Sequence, residues 1–312
     1  MKNRWISILL ALVLTVGLTA CTTDRGEERS SSSETEQEPV SVSSSEPEPE
    51  SEPEEQEWES GDPYPYAEPA MGSNFPVVAQ LSGEAVTWGP ATNMDEENRP
   101  IACLQLQEQY GDYNVNFIGP DEKRIYLTFD EGYENGNTAD ILDILKEKNV
   151  KAVFFVTGHY CKTNPELVQR MIDEGHIVGN HTVHHPSAGM PSLSIADQTA
   201  EIMETDAYIK ENFGYSMYLF RYPTGQFSEQ SLAVVNNCNY RSVFWSFAYK
   251  DWDVNNQPDE TESLNLLMEK LHPGAIYLLH AESQTNADIL GSFIDQVRAQ
   301  GYEIGVYSDT LQ

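Results

Sequence analysis

From residue 124 onward, short apolar runs of β-forming residues alternate with stretches whose apolar positions recur every three or four residues. RIYLTF (124–129), KAVFFV (151–156), HIVGN (176–180), MYLFRY (217–222), SVFWSF (242–247), AIYLLH (275–280) and EIGVYS (303–308) read as strands. Between them fall the helical patterns. Asn137 to Lys148 carries Ile141, Leu142, Ile144 and Leu145 on one face, and Pro165 opens a second helix that Gly175 ends. Ser194 is placed to cap a helix running to Phe213. Further helices fit Glu229–Asn237, Glu260–Leu271 and Asn286–Gln300. Such alternation predicts an α/β fold on a parallel sheet, open or closed into a barrel. Residues 71–123 are less regular and read as a leading segment packed on a barrel domain of 124–312.

The pattern changes toward the N-terminus. Lys2 and Arg4 precede an apolar run from Trp5 to Leu18, too short for a membrane span of about 20 residues. It suits the apolar core of an export signal over residues 1–20. Cys21 follows in LTAC, a string that resembles the lipobox of bacterial lipoproteins, where the cysteine is lipidated. Residues 21–70 are Ser, Glu, Pro and little else, with 15 acidic and 2 basic residues between Asp24 and Asp62. Such a segment buries too little apolar surface to fold, so a disordered acidic linker is expected. About 50 residues of this kind span roughly 40 Å as a coil and up to roughly 150 Å as extended polyproline II. The expected location is therefore outside the cell, tethered by lipid to the outer face of a bacterial membrane.

Charge and cysteine usage narrow the classes. From Pro69 on there are 34 acidic and 14 basic residues and no basic patch, which argues against a nucleic-acid partner. Cys103, Cys161 and Cys238 are widely spaced without a CxxC pair, so a cysteine zinc site is not expected, while one disulfide is possible.

The candidate chemistry lies where strands end. Asp130 and Glu131 follow YLTF, His181 follows HIVGN, Arg221 ends MYLFRY, Asp251 comes shortly after SVFWSF, and His280 ends AIYLLH. In a parallel barrel the C-terminal strand ends open on one face, which holds the chemistry. In HTVHH, His181 and His185 are four apart and share a face on a helical turn, as two metal ligands should. A third ligand from Asp130 or Glu131 would leave a position for water, whose pKa a divalent ion lowers toward 7.

The strings YLTFDEGYENG, FFVTGHY, EGHIVGNHTVHHP, FRYPTGQFSE, VFWSFAYKDWDVNNQ and HPGAIYLLHAES together resemble the polysaccharide deacetylase family, the NodB-like carbohydrate esterases. The likeness covers about residues 85–312 and is strongest to the branch that de-N-acetylates muramic acid on the route to muramic δ-lactam. It implies a distorted (β/α) barrel, a peptidoglycan or related glycan substrate and a divalent metal, zinc being the expected ion. By the same resemblance Asp130 is the general base, His280 the general acid, and Glu131, His181 and His185 hold the metal. Arg221 orients Asp130, Asp251 holds the arginine, Trp252 walls the groove, and Leu278 meets the acetyl methyl. The backbone N–H near Thr224 would serve the oxyanion. Glu134 and Asn135 could form the turn or bind substrate, with substrate preferred.

Two positions depart from the pattern. Glu131 stands where most members have Asp and the muramic branch has Asn, and its carboxylate reaches about 1.5 Å further. Thr224 stands where the common motif has Tyr and the muramic branch often has Arg. These leave two alternatives: a deacetylase of N-acetylglucosamine in peptidoglycan or chitin-like chains, and a wall-binding relative without metal.

Overall fold

The computed structural model describes residues 75–89 and 92–307. The expected signal segment, Cys21 and the acidic linker lie outside the described residues.

In chain order the strands are β1 (Val86–Thr87), β2 (Val115–Asn116), β3 (Arg124–Glu131), β4 (Val153–Val156), β5 (Ile177–Asn180), β6 (Leu219–Phe220), β7 (Gln226–Phe227), β8 (Arg241–Val243), β9 (Phe247–Ala248), β10 (Ala275–His280) and β11 (Glu303–Ile304). The helices are α1 (Phe75–Val78), α2 (Ile101–Tyr110), α3 (Thr138–Glu147), α4 (Gly158–Thr163), α5 (Pro165–Asp173), α6 (Ile195–Phe213), α7 (Glu229–Asn237), α8 (Glu260–Glu269) and α9 (Gln284–Ala299). Among the described residues, nine strands form one parallel sheet in the order β2-β8-β6-β5-β4-β3-β10-β9, with β11 beside the start of β3.

The sequence run SVFWSF explains why this sheet curls. It does not form one strand. Its first residues pair with β6 and β2 near one edge, while its last pair with β10 at the other. Only Phe244, Trp245 and Ser246 separate the two pieces. Four residue steps reach about 14 Å at full extension, so the two edges lie close together and the sheet is a distorted (β/α) barrel. Phe244 N–H donates to Asn116 O on one side and Ser246 N–H to Ile276 O on the other, which stitches the crossing.

The helices form for the reasons their sequences give. In α3, Ile141, Leu142 and Leu145 are fully buried against the sheet while the opposite face is polar. Pro165 occupies the first turn of α5, where its missing N–H costs nothing. Ser194 accepts from Asp197 N–H at the start of α6, and Gly214 ends that helix in the left-handed region. The leading segment does more than pack on the barrel. It supplies β2 to the barrel sheet, and its β1 pairs with β7. Cys103, Cys161 and Cys238 are buried, and among the described residues they form no disulfide.

Candidate active site

Strand β3 runs through Glu131, so its side chains alternate faces to its very end. Asp130 pairs in register with His280 of β10, and Thr128 with Leu278. These four side chains share the inner face. Glu131 must point the other way. That one geometric rule divides the two adjacent carboxylates.

Arg221 is the hub on the inner side. It is completely buried and spends its donors on four acceptors. Nη1 donates to Asp130 Oδ1 at 2.9 Å and Thr128 Oγ1 at 2.7 Å; Nε and Nη2 donate to the Val243 and Phe244 carbonyls, each at 3.0 Å. Its guanidinium lies 4.2 Å from the Phe155 ring centre. A planar fork with fixed donors suits this role and lysine would not replace it. Burial alone would raise the Asp130 pKa, but Arg221, His181 and His280 outweigh it and hold it below the ordinary value of 3.8. Asp130 is therefore an ionised carboxylate in a nearly dry site.

His181 Nε2 lies 3.6 Å from Asp130 Oδ2. Its Nδ1 sits 2.9 Å from the Arg221 carbonyl, which only accepts, so Nδ1 carries the proton. Burial, opposed by Asp130, pulls its pKa down to about 4 and keeps the ring neutral. The His185 ring lies 4.9 Å from that of His181, centre to centre. The pair does not meet on a helical turn as the spacing suggested. Residues 181–188 form an irregular loop, with Thr182 at φ 71° and His185 at φ 49°. Left-handed backbone at a β-branched residue is uncommon and marks a geometry the surroundings impose. Asn180 and Thr182 supply part of that imposition: Thr182 N–H donates to Asn180 Oδ1, and His185 N–H to Thr182 Oγ1. His184 turns away to Glu201.

The two neutral imidazoles fit a divalent metal as two of its ligands. The predicted three-residue set does not. Glu131 faces away from the histidines, and among the described residues no group of three or more His, Cys, Asp or Glu is arranged to hold a metal ion. Instead Glu131 is fully buried on the outer face, and both carboxyl oxygens lack a hydrogen-bond partner. Burial, and then Glu282, Glu134 and Asp130, raise its pKa well above 4.5. Glu282 is likewise pushed up by burial, to about 7.

Asp251 corrects a second expectation. It does not hold Arg221; it holds His280. Its Oδ1 accepts from His280 Nδ1 at 2.7 Å, and its Oδ2 accepts from His280 N–H at 2.9 Å and Asn286 Nδ2 at 2.7 Å. Burial alone would lower the His280 pKa, but Asp251, Asp130 and Glu282 raise it to about 9. His280 is thus an imidazolium at neutral pH, with Nε2–H as its remaining donor.

The other predicted residues divide. Trp252 is half exposed, with its ring 5.7 Å from that of His280, and Tyr133 is comparably exposed. Leu278 is buried on the inner face beside Thr128. Thr224 is exposed at φ 59° in a tight turn directly after Arg221. Gly225 follows because a Cβ there would sit 2.9 Å from both the Trp245 ring and the Trp88 carbonyl oxygen. Glu134 and Asn135 are spent on structure. Glu134 accepts from Gly136 N–H, the Thr138 hydroxyl and the Tyr160 hydroxyl, and Asn135 donates to the Glu282 carbonyl. Sequence reasoning missed Thr128, Asn180 and Asn286. Only Thr128 had a signal, since it lies two residues before Asp130 on the same face.

A curled parallel sheet with an ionised carboxylate, a charged imidazole and a neutral histidine pair at its strand ends defines a barrel hydrolase of acid–base type. A model of the polysaccharide deacetylase family matches residues 118–243. The peptidoglycan-N-acetylmuramic acid deacetylase PdaA of Bacillus subtilis is 39% identical over 232 residues, 74% of this chain and 88% of that protein. An uncharacterized 30.6 kDa protein of Geobacillus stearothermophilus is 43% identical over 75% of this chain and 88% of its own length. The solved structure of B. subtilis PdaA, a family 4 carbohydrate esterase, superposes with a TM-score of 0.70 at 38% identity, covering 74% of this chain and 98% of that one. The chain belongs to the polysaccharide deacetylase family.

Proposed function

We propose that the protein removes the N-acetyl group from amino sugars of peptidoglycan, N-acetylmuramic acid foremost, releasing acetate. One observation carries the reaction: an ionised Asp130 and a protonated His280 stand side by side in register on neighbouring strands. That is the pair a base-then-acid hydrolysis needs at neutral pH. Similarity to PdaA supports muramic acid as the sugar.

Asp130 takes a proton from water, and the water oxygen attacks the acetyl carbonyl carbon. Negative charge gathers on the carbonyl oxygen, where the Thr224 backbone N–H donates. His280 Nε2–H protonates the sugar nitrogen, the C–N bond breaks, and acetate and a free amine leave. Asp130 then loses its proton to solvent and His280 regains one. Arg221 keeps Asp130 charged and fixed throughout, and Asp251 does the same for His280. Trp252 offers a ring face to the pyranose, and Leu278 lines the space for the acetyl methyl. His181 and His185 would hold a divalent ion, zinc in this reading, which supplies positive charge to the carbonyl oxygen and acidifies water. The amine freed on muramic acid is the group a δ-lactam requires. Export and lipidation at Cys21 belong to the same reading, supported by the LTAC string alone.

The neutral, exposed Thr224 favours a second reading, in which N-acetylglucosamine is the sugar, because no arginine there pairs with the lactyl carboxylate. Mass spectrometry of digested peptidoglycan separates the two: the deacetylated sugar is lighter by about 42 Da from covalent composition. Muramic acid is expected to carry that loss. If wild-type protein releases no acetate from peptide-stripped glycan with any divalent ion, the enzymatic reading fails.

A further inference from the structure

Asn286 sits in the first turn of α9 and is 1% exposed, behind the Asp251–His280 pair. Its amide has two ends, and the structure fixes which faces where. The Tyr249 hydroxyl donates to Oδ1. That leaves the two N–H donors of Nδ2 for Asp251 Oδ2 at 2.7 Å and the His280 carbonyl at 3.0 Å. One amide therefore grips the carboxylate and the strand end that carries the imidazole. The neighbouring chain is clamped in the same manner. Gln257 donates to the Asp251 and Asp253 carbonyls and accepts from Ser283 Oγ and Thr285 N–H, which ties the 251–257 loop to the start of α9.

We infer that Asn286, oriented by Tyr249, is a positioning residue that fixes the Asp251 carboxylate against His280 and so sets the geometry of the acid. The inference rests on the reaction proposed above. The physics is that of a buried acceptor. Asp251 has no exposed surface, so a lost donor is not replaced by water and its Oδ2 is left with the His280 N–H alone. The carboxylate is then held less firmly against His280 Nδ1. The other groups facing it are Asp130 from β3, Glu282 from the following loop, His185 from the 181–188 loop and the Trp252 ring. None of these replaces a hydrogen bond to Nδ1.

The test compares Asn286→Leu, Asn286→Asp and Tyr249→Phe with wild type by two readouts. One is the His280 imidazole titration followed by NMR; the other is acetate release against pH. The wild-type titration is expected near 9. Asn286→Leu should move it to lower pH by half a unit or more. It should also lower kcat about tenfold to hundredfold with KM within about twofold, the range of a displaced catalytic group. Asn286→Asp should be worse than Leu, because it sets an acceptor against an acceptor. Tyr249→Phe should show the same shift in smaller measure, and it judges the inference alone if the Asn286 variants do not fold. The inference is overturned if His280 titrates as in wild type, or if kcat falls only as far as the melting temperature does. Wild-type protein that titrates as expected yet releases no acetate would sink the reaction and leave the positioning role to the NMR result.

Discussion

Asp130 and Glu131 are neighbours in sequence and opposites in environment. The first faces the barrel interior, where one guanidinium and two imidazoles surround it and its pKa falls. The second faces the helices on the outer side, where its electrostatic neighbours are other carboxyl groups and its pKa rises. Both are buried, and burial pushes both the same way. The difference comes from what each meets, and a strand's two-residue period decides that. Catalytic charge in this molecule is thus a property of a face. A carboxyl group one residue along the same strand is a different chemical object.

The largest test of that contrast removes the interior cation. Arg221→Met leaves Asp130 buried without its partner, and stripping one member of a buried pair costs about 3–5 kcal/mol. Chemical denaturation should show that loss, and acetate release should disappear with it. Removing the same charge pairing from the acid is the next step down. Asp251→Asn deprives His280 of its acceptor, and kcat should fall by about 10²–10⁴-fold, the span attributed to a positioned proton donor.

The pH profile sharpens the comparison without mutation. Activity needs Asp130 ionised and His280 protonated, so kcat/KM should be flat through neutrality. It should fall at low pH, no higher than 3.8, and again near 9. Stability follows the same groups. The stabilisation from the His280 pairing is complete below its unfolded value of 6.5 and is lost as pH rises through about 9. The smallest effect belongs to the outer face. Glu131 also has a raised folded pKa, so its contribution is present below 4.5 and declines as pH rises through the folded value. Glu131→Gln cannot ionise; its melting temperature should exceed that of wild type by a margin that grows with pH. Its zinc affinity by titration calorimetry should stay within about threefold of wild type, whereas loss of a true ligand would exceed the roughly 10–100-fold that even an indirect metal partner costs.

Much of the frame was legible because burial writes itself into sequence as periodicity. AIYLLH became β10 residue for residue, Glu229–Asn237 became α7, and Ser194 caps α6 as its position suggested. SVFWSF reads as one strand from sequence because an apolar run carries no mark of where its hydrogen-bond partners change. The short α4 and the strand at Val115–Asn116 were missed for a related reason: each draws its structure from distant partners, not from its own pattern. At the site, motif position located Asp130, His181, Arg221 and His280, but not who touches whom. Asp251 grips His280 instead of Arg221, and Asn286 grips Asp251, because of three-dimensional neighbours 29 and 35 residues away in the chain. Glu131 is placed among the metal ligands by the resemblance, whereas the alternation visible in RIYLTFDE sets its side chain on the face opposite Asp130.

The most direct measurement sets the two carboxylates against each other in one assay, acetate released from peptide-stripped peptidoglycan glycan at pH 7. Asp130→Asn should lose about 10²–10⁴-fold in kcat, as removal of a general base does, while Glu131→Gln should keep kcat within about threefold of wild type. Comparable losses in both variants, with both still folded, would contradict the account, because they would put the two side chains to work on the same face.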